Sequence, residues 1–173
     1  MGAPLLALFL LRLVRISRVD RQGNRQWHSQ ASRSFPSTAI EVDGDLILVD
    51  AGVMFPEESM HGIDLVIPDF AYVLDNMDRL RGVILTHGHD DHIGALPYLL
   101  QQLPIVVPVY STSLTLGVAA ARARELKVLE KADMRPVRPG EVARLGGVAV
   151  EFYHVTHSVP DATGLIFHTP AGT

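Results

Sequence analysis

The feature that most constrains this chain is the run His87-Gly88-His89-Asp90-Asp91-His92, which follows Thr86 and the apolar segment Val83-Ile84-Leu85. It places three imidazoles and two carboxylates within six residues. Imidazole nitrogen and carboxylate oxygen are the donors that suit zinc and similar divalent metals. A short apolar run reads as a strand covered on both faces, so the cluster is expected at a strand-to-helix turn. Gly88 is expected to let the backbone turn tightly, so that His87 and His89 converge on one metal. Asp91 and His92 would then face a second. The alternative is a histidine-rich surface turn in which Asp90 or Asp91 caps a helix. Neutral histidine and ionised aspartate are the ligand forms, so binding is expected to weaken at acid pH.

Further ligands must come from elsewhere in the chain. His157 is the best candidate, because it ends the alternating segment Val148–Val155 and precedes a Val-Pro-Asp turn. His154 lies inside that alternation and reads as structural. His28, His61 and His168 have no ligand-like neighbours. Asp50 ends the buried run Leu46–Val49 next to Gly52. A carboxylate there is expected to orient a ligand histidine or hold the turn, not to bind metal directly. Glu57 and Glu58 read as solvated loop charges.

Other chemistries find little support. The chain has no cysteine, which excludes disulfides and thiolate ligands and fits a reducing compartment. It has no glycine-rich phosphate loop and no Gly-x-Ser-x-Gly elbow. The apolar start, Met1 to Leu11, is cut short by Arg12 and Arg15, far below the roughly 20 residues of a membrane span. It also lacks the basic region and cleavage site of a signal peptide. A soluble, cytoplasmic protein is expected, with no membrane partner. Residues 1–40 hold six arginines and one acid, whereas the remainder holds nine basic and eighteen acidic residues. The basic arm could steer a polyanion, but a solvated leader is the simpler reading.

Along the chain, residues 1–37 read as an atypical basic leader. The stretch 17–37, punctuated by Pro36, is expected to be poorly ordered. A domain is expected over 38–173. Within it, Thr38–Val42 and Leu46–Val49 read as strands joined by a tight Asp43-Gly44 turn. Residues 53–68 read as loop, and Phe70–Leu80 as a helix that Gly82 breaks. Val83–Leu85 is a strand. Pro97 opens a helix running to Leu103. Ile105–Tyr110 is a strand, Ser113–Leu129 a helix, and Val148–Val155 and Gly164–His168 are strands. The fold class is α/β with a mixed sheet, because the hairpins argue against a purely parallel one.

The pattern from His87 to His92, with Asp50 at a strand end upstream and His157 downstream, resembles the signature of the metallo-β-lactamase superfamily. Within that superfamily, the segments Asp50-Ala-Gly-Val-Met-Phe-Pro-Glu-Glu58 and His61-Gly-Ile-Asp-Leu-Val-Ile-Pro-Asp69 resemble the ribonuclease J family of the β-CASP group. Leu96-Pro-Tyr-Leu-Leu100 and His157-Ser-Val-Pro-Asp161 do so too. The resemblance implies an αββα sandwich, of which this chain would be the N-terminal half, with two zinc ions between the sheet edges. His87, His89 and His157 would hold one ion. Asp91 and His92 would hold the other, which could also be manganese, and would serve the catalytic step. Asp50 and Ser158 would stand behind the ligands. The implied activity is 5′ exonucleolytic and endonucleolytic cleavage of RNA by a metal-activated water. A thioester or lactam hydrolase of the same superfamily is the alternative. The family's glycine-rich strand-turn is replaced here by Gln30-Ala-Ser-Arg-Ser-Phe-Pro-Ser37. Its later Thr-Gly-Asp turn and β-CASP domain are not in this sequence. The chain is therefore expected to be a weakly active or inactive part of an enzyme that, when complete, could be a homo-oligomer.

Overall fold

A computed structural model describes residues 6–10, 12–16, 27–30, 37–58, 61, 63–169 and 172. Its largest element is a seven-stranded mixed sheet. Across the sheet run β3 (Trp27–Gln30), β2 (Arg12–Ile16), β4 (Thr38–Val42), β5 (Asp45–Val49), β7 (Leu80–Ile84), β8 (Val107–Ser111) and β9 (Ala132–Pro136). The β2–β3 and β4–β5 pairs are antiparallel, and the other four are parallel. A second, antiparallel sheet contains β10 (Val142–Leu145), β11 (Val148–His154) and β12 (Thr163–His168). A parallel pair joins β1 (Leu6–Leu10) to β6 (Leu65–Asp69).

Alternation of side chains along each strand gives the large sheet two covered faces. Leu46 and Leu48 of β5, Val83 of β7, and Val107 and Val109 of β8 face one core. They meet the helices α1 (Ala71–Asp75), α3 (Leu96–Gln102) and α4 (Ser113–Glu125) there. Ile47, Ile84 and Tyr110 point the other way, onto Leu145, Val148, Val150 and Phe152 of the small sheet. Among the described residues the layers are thus helix, sheet and sheet. No described helix is long and apolar enough to cross a membrane.

The β4–β5 hairpin forms as expected. Both of its central residues, Asp43 and Gly44, have positive φ, the requirement of the turn whose twist matches the flanking strands. Two expectations change. The loop expected over 53–68 ends in strand β6. Leu65-Val66-Ile67 bonds to β1 and bridges Met54, and Pro68 is tolerated because this two-stranded pair consists of edges. The helix expected over Phe70–Leu80 stops at Asp75. There the Asn76 amide bonds back to the Tyr72 carbonyl at 2.7 Å, and a single 3-10 turn, Met77–Arg79, leads into β7. Gly82 lies inside β7. Of the stretch 17–37, Trp27–Gln30 forms β3 and Ser37 is buried. Residues 17–26 and 31–36 lie outside the described residues.

Asp45 fastens the two sheets together. Its carboxylate accepts a bond from Arg81 Nε at 2.5 Å and one from the Gly147 N–H, in the β10–β11 turn, at 2.7 Å. Partial burial acts to raise the Asp45 pKa, but the Gly147 and Arg81 bonds outweigh it and hold it below the usual carboxylate value. A depressed folded-state pKa contributes stability that is present above the unfolded value and lost as pH falls through the folded one. Arg81 is well exposed, which discounts the ion pair. Asp45→Asn should therefore cost only about 1 kcal/mol near neutral pH. That difference should shrink as pH falls below the carboxylate range. Urea unfolding of both proteins at pH 7 and pH 3 checks this, and an equal cost at both pH values would contradict it.

Candidate metal centre

Strands β5, β7 and β8 end on one edge of the large sheet, the carboxyl edge where open α/β sheets gather ligands. Asp50 follows β5. It is buried, with φ at 59°, a left-handed conformation that Asp tolerates better than most residues. Its carboxylate accepts from the Thr86 N–H at 2.8 Å, from Thr86 Oγ1 at 2.9 Å and from His92 Nδ1 at 2.8 Å.

With Asp50 ionised, these bonds assign the ring nitrogen that each histidine offers. The Thr86 hydroxyl has one proton and gives it to Asp50. Its oxygen therefore accepts from His87 Nδ1, 2.9 Å away. His87 is left with a lone pair on Nε2. His92 donates through Nδ1 and is likewise left with Nε2, which lies 3.7 Å from an Asp91 carboxylate oxygen. His89 Nε2 lies 3.3 Å from Ser158 Oγ, so its Nδ1 turns inward.

His157 reaches the cluster from the loop after β11. The bonds from Thr163 N and Oγ1 to the Thr86 carbonyl, both 3.0 Å, seat that part of the small sheet against the end of β7. His87 Nε2 then lies 3.1 Å from His89 Nδ1 and 3.1 Å from His157 Nε2. Two nitrogens on one tetrahedral ion at 2.0–2.1 Å are separated by roughly 3.3 Å. The three inward nitrogens, within 4.8 Å of one another, fit such an ion. The His87 and His92 rings lie 3.9 Å apart between centroids, tilted at 48°, so His92 stands directly beside this trio.

The electrostatics suit His87 to ligand chemistry. Burial, followed by repulsion from His92, His157 and His89, lowers the His87 pKa to about 4, which keeps the imidazole neutral and able to coordinate. Burial also disfavours a charged His92. The hydrogen bond and charge of Asp50, helped by Asp91, outweigh that and raise its pKa. The loop from His154 to Asp161 walls an open cavity of about 250 Å³ next to the trio.

The structure brings together His87, His89, Asp91, His92 and His157, with Asp50 and Ser158 behind them. His154 is exposed at the end of β11, and His61, Glu57 and Glu58 are also exposed. His168 pairs with Glu151 at 3.1 Å. The side chain of His28 lies outside the described residues. Sequence reasoning missed Thr86, the hydroxyl that links Asp50 to His87. The only available signal was a hydroxyl residue immediately before the first histidine. The chain bends at His87 and Gly88, and His87 and His89 converge as expected, but the bend does not demand glycine. The φ of Gly88 is not positive, and a Cβ there would meet only a Val118 methyl at 3.9 Å. Backbone atoms crowd such a Cβ at Gly52 and Gly94.

The family model of the metallo-beta-lactamase superfamily matches residues 36–173. Ribonuclease J 2 of Staphylococcus aureus is 42% identical over 133 residues, which are 77% of this chain and 24% of that protein. Ribonuclease J 1 of Streptococcus pyogenes serotype M3 is 39% identical over 133 residues, 77% of this chain and 23% of that protein. The chain thus spans about a quarter of the length of these relatives. Among solved structures, a diphosphatase of the PhnP family superposes with a TM-score of 0.55 at 23% identity, covering 87% of this chain and 52% of that one. Zn(2+)-bound PqqB from Methylobacterium extorquens gives 0.52 at 13% identity, covering 76% of this chain and 48% of that one. These two show a shared fold. The family match takes in the whole of the carboxyl edge and the loop that brings His157 to it, and the chain belongs to the metallo-β-lactamase superfamily.

Proposed function

We propose that this chain is the metal-binding portion of a zinc-dependent ribonuclease of the ribonuclease J kind. The observation that carries the reading is the convergence of His87 Nε2, His89 Nδ1 and His157 Nε2 in a chain 42% identical to a ribonuclease J over most of its length. His87, His89 and His157 would hold one ion, and Asp91 and His92 a second, zinc or manganese. Bound there, the metals would supply a water acidified to a pKa near about 7 and charge stabilisation at phosphorus.

The chain's own residues do the rest. Thr86 and Asp50 fix the ring orientation of His87 and His92, and Ser158 fixes that of His89. Asp91, exposed beside His92, is placed to position the nucleophile through its carboxylate. The open cavity beside His157 admits a phosphodiester. RNA is the substrate in this reading, and the work is done in the cytoplasm.

A chimera tests the proposal. Residues 38–173 replace the matching segment of Staphylococcus aureus ribonuclease J 2, and the product is offered zinc with 5′-monophosphorylated RNA or with a thioester. The chimera is expected to cleave RNA, to lose that activity on His89→Ala, and to leave the thioester intact. The chain by itself is expected to be at least about a hundredfold slower, since a second ion held by only two protein ligands is loosely placed. Thioester hydrolysis without RNA cleavage would reject the ribonuclease reading.

A further inference from the structure

Asp91 and His92 sit on a helix of one turn, α2 (Asp90–Ile93), which is too short to hold its own position. The turn after β5 holds it instead, through backbone contacts. Ala51 N donates to the His92 carbonyl at 2.7 Å, Val53 N to the Asp90 carbonyl at 3.1 Å, and Ala95 N to the Ala51 carbonyl at 2.7 Å. Gly52 lies in the middle of this ladder. A Cβ built on it would stand 1.4 Å from the Asp91 carbonyl oxygen and 2.8 Å from the His92 N. No side chain fits there, and the obstacle is backbone, which cannot swing aside. From the opposite side, the Gly52 N–H donates to the hydroxyl of fully buried Ser37 at 3.1 Å. Gly52 is thus pinned between a core hydroxyl and the backbone that carries Asp91 and His92.

We propose that Gly52, held by Ser37, is a positioning residue for the Asp91–His92 half of the metal centre. The inference rests on the proposed metal-binding reading and adds a residue that touches neither metal nor substrate. Its effect is selective. Of the trio, His87 on the end of β7 and His157 on the loop after β11 lie outside this ladder, and only His89, the residue that precedes α2, adjoins it. Displacing α2 by even a fraction of an ångström alters the approach of His92 Nδ1 to Asp50 and the facing of His92 Nε2 and Asp91.

The test compares Gly52→Ala with the parent chain and with Gly117→Ala. Gly117 lies on α4, where an added Cβ meets nothing within 4 Å. In metal-free protein, the imidazole nitrogens are followed by NMR. In cobalt and zinc titrations against a chelator, the first and second equivalents are resolved. Gly52→Ala is expected to disturb the Nδ1–H signal of His92 while leaving that of His87 in place. It should weaken the second equivalent at least about tenfold and the first by less than about threefold, the size typical of losing a partner behind a ligand. Gly117→Ala should change neither. An unchanged His92 signal with an unchanged second equivalent would overturn the proposal, and so would equal weakening of both equivalents in a folded variant. Should Gly52→Ala fail to fold, Ser37→Ala decides. The same His92-selective change supports the proposal, and an unchanged His92 rejects it. If the parent takes up no metal, the proposed function fails, while the NMR comparison still decides the role of Gly52.

Discussion

Changing His87 and His89 together to alanine is expected to reduce tightly bound zinc from about one per chain to none. The two rings contribute two of the three nitrogens that converge within 4.8 Å. Of the trio His157 alone would remain, and with only the facing Asp91–His92 pair beside it the site does not hold zinc against a chelator. Structural zinc sites derive on the order of ten kcal/mol from a full ligand set, so loss of two ligands should weaken binding by at least about a thousandfold. Metal analysis after gel filtration, together with competition against a chromophoric chelator, measures the effect. Zinc content equal to that of the parent would remove the basis of the assignment. The single variant His157→Ala should fall between the two, because it leaves the His87–His89 pair and the facing Asp91–His92 pair.

Asp50→Ala is expected to have the largest effect on folding of any single change at the site. The carboxylate is buried and accepts from two groups of Thr86 and from His92. Its removal leaves an amide, a hydroxyl and an imidazole N–H without their acceptor in a part-buried site. Breaking one member of such a buried network costs about 3–5 kcal/mol. The rings of His87 and His92 would also lose their fixed tautomers, which should cost about ten- to a hundredfold in metal affinity. Asp50→Asn keeps an acceptor for Thr86 but loses the charge, and should give a smaller effect in both measurements. Denaturant unfolding of the metal-free proteins separates the stability loss from the affinity loss. A metal-free Asp50→Ala chain within 1 kcal/mol of its parent would show that this network carries little of the fold.

The legible parts of this molecule were those in which chemistry is contiguous in sequence. His87, His89, Asp91 and His92 lie within one turn, and β5 and β7 are apolar runs that end at charged or hydroxyl residues. His157 was legible because an alternating strand ended there. Asp50 was legible as a carboxylate after a buried strand, although its bonds to Thr86 and His92 were not. The strands β9 and β10 escaped notice because they carry exposed polar residues, among them Asp133 and Arg135, on or near the sheet edges. Strand β6 was obscured by Pro68. Glycine roles were the least legible of all. A glycine between two histidines suggests a tight turn, yet the constraint falls on Gly52, whose obstacle, the Asp91 carbonyl, is 39 residues away in the chain. Steric need of that kind arises from packing between distant segments and leaves no mark in local spacing.

The contact between His87 and His157 joins positions 70 residues apart in the chain. An ion shared by them would be a cross-link in the polymer sense, closing a loop of that length and fastening the small sheet to the large one. By the chain-entropy estimate for covalent bridges, a closure of this size removes about 4 kcal/mol of freedom from the denatured ensemble. Such a cross-link differs from a disulfide in one respect, since a chelator can open it without any change of redox state. Local metal supply would then set not only the chemistry at the carboxyl edge but also how long the two sheets stay together against proteolysis.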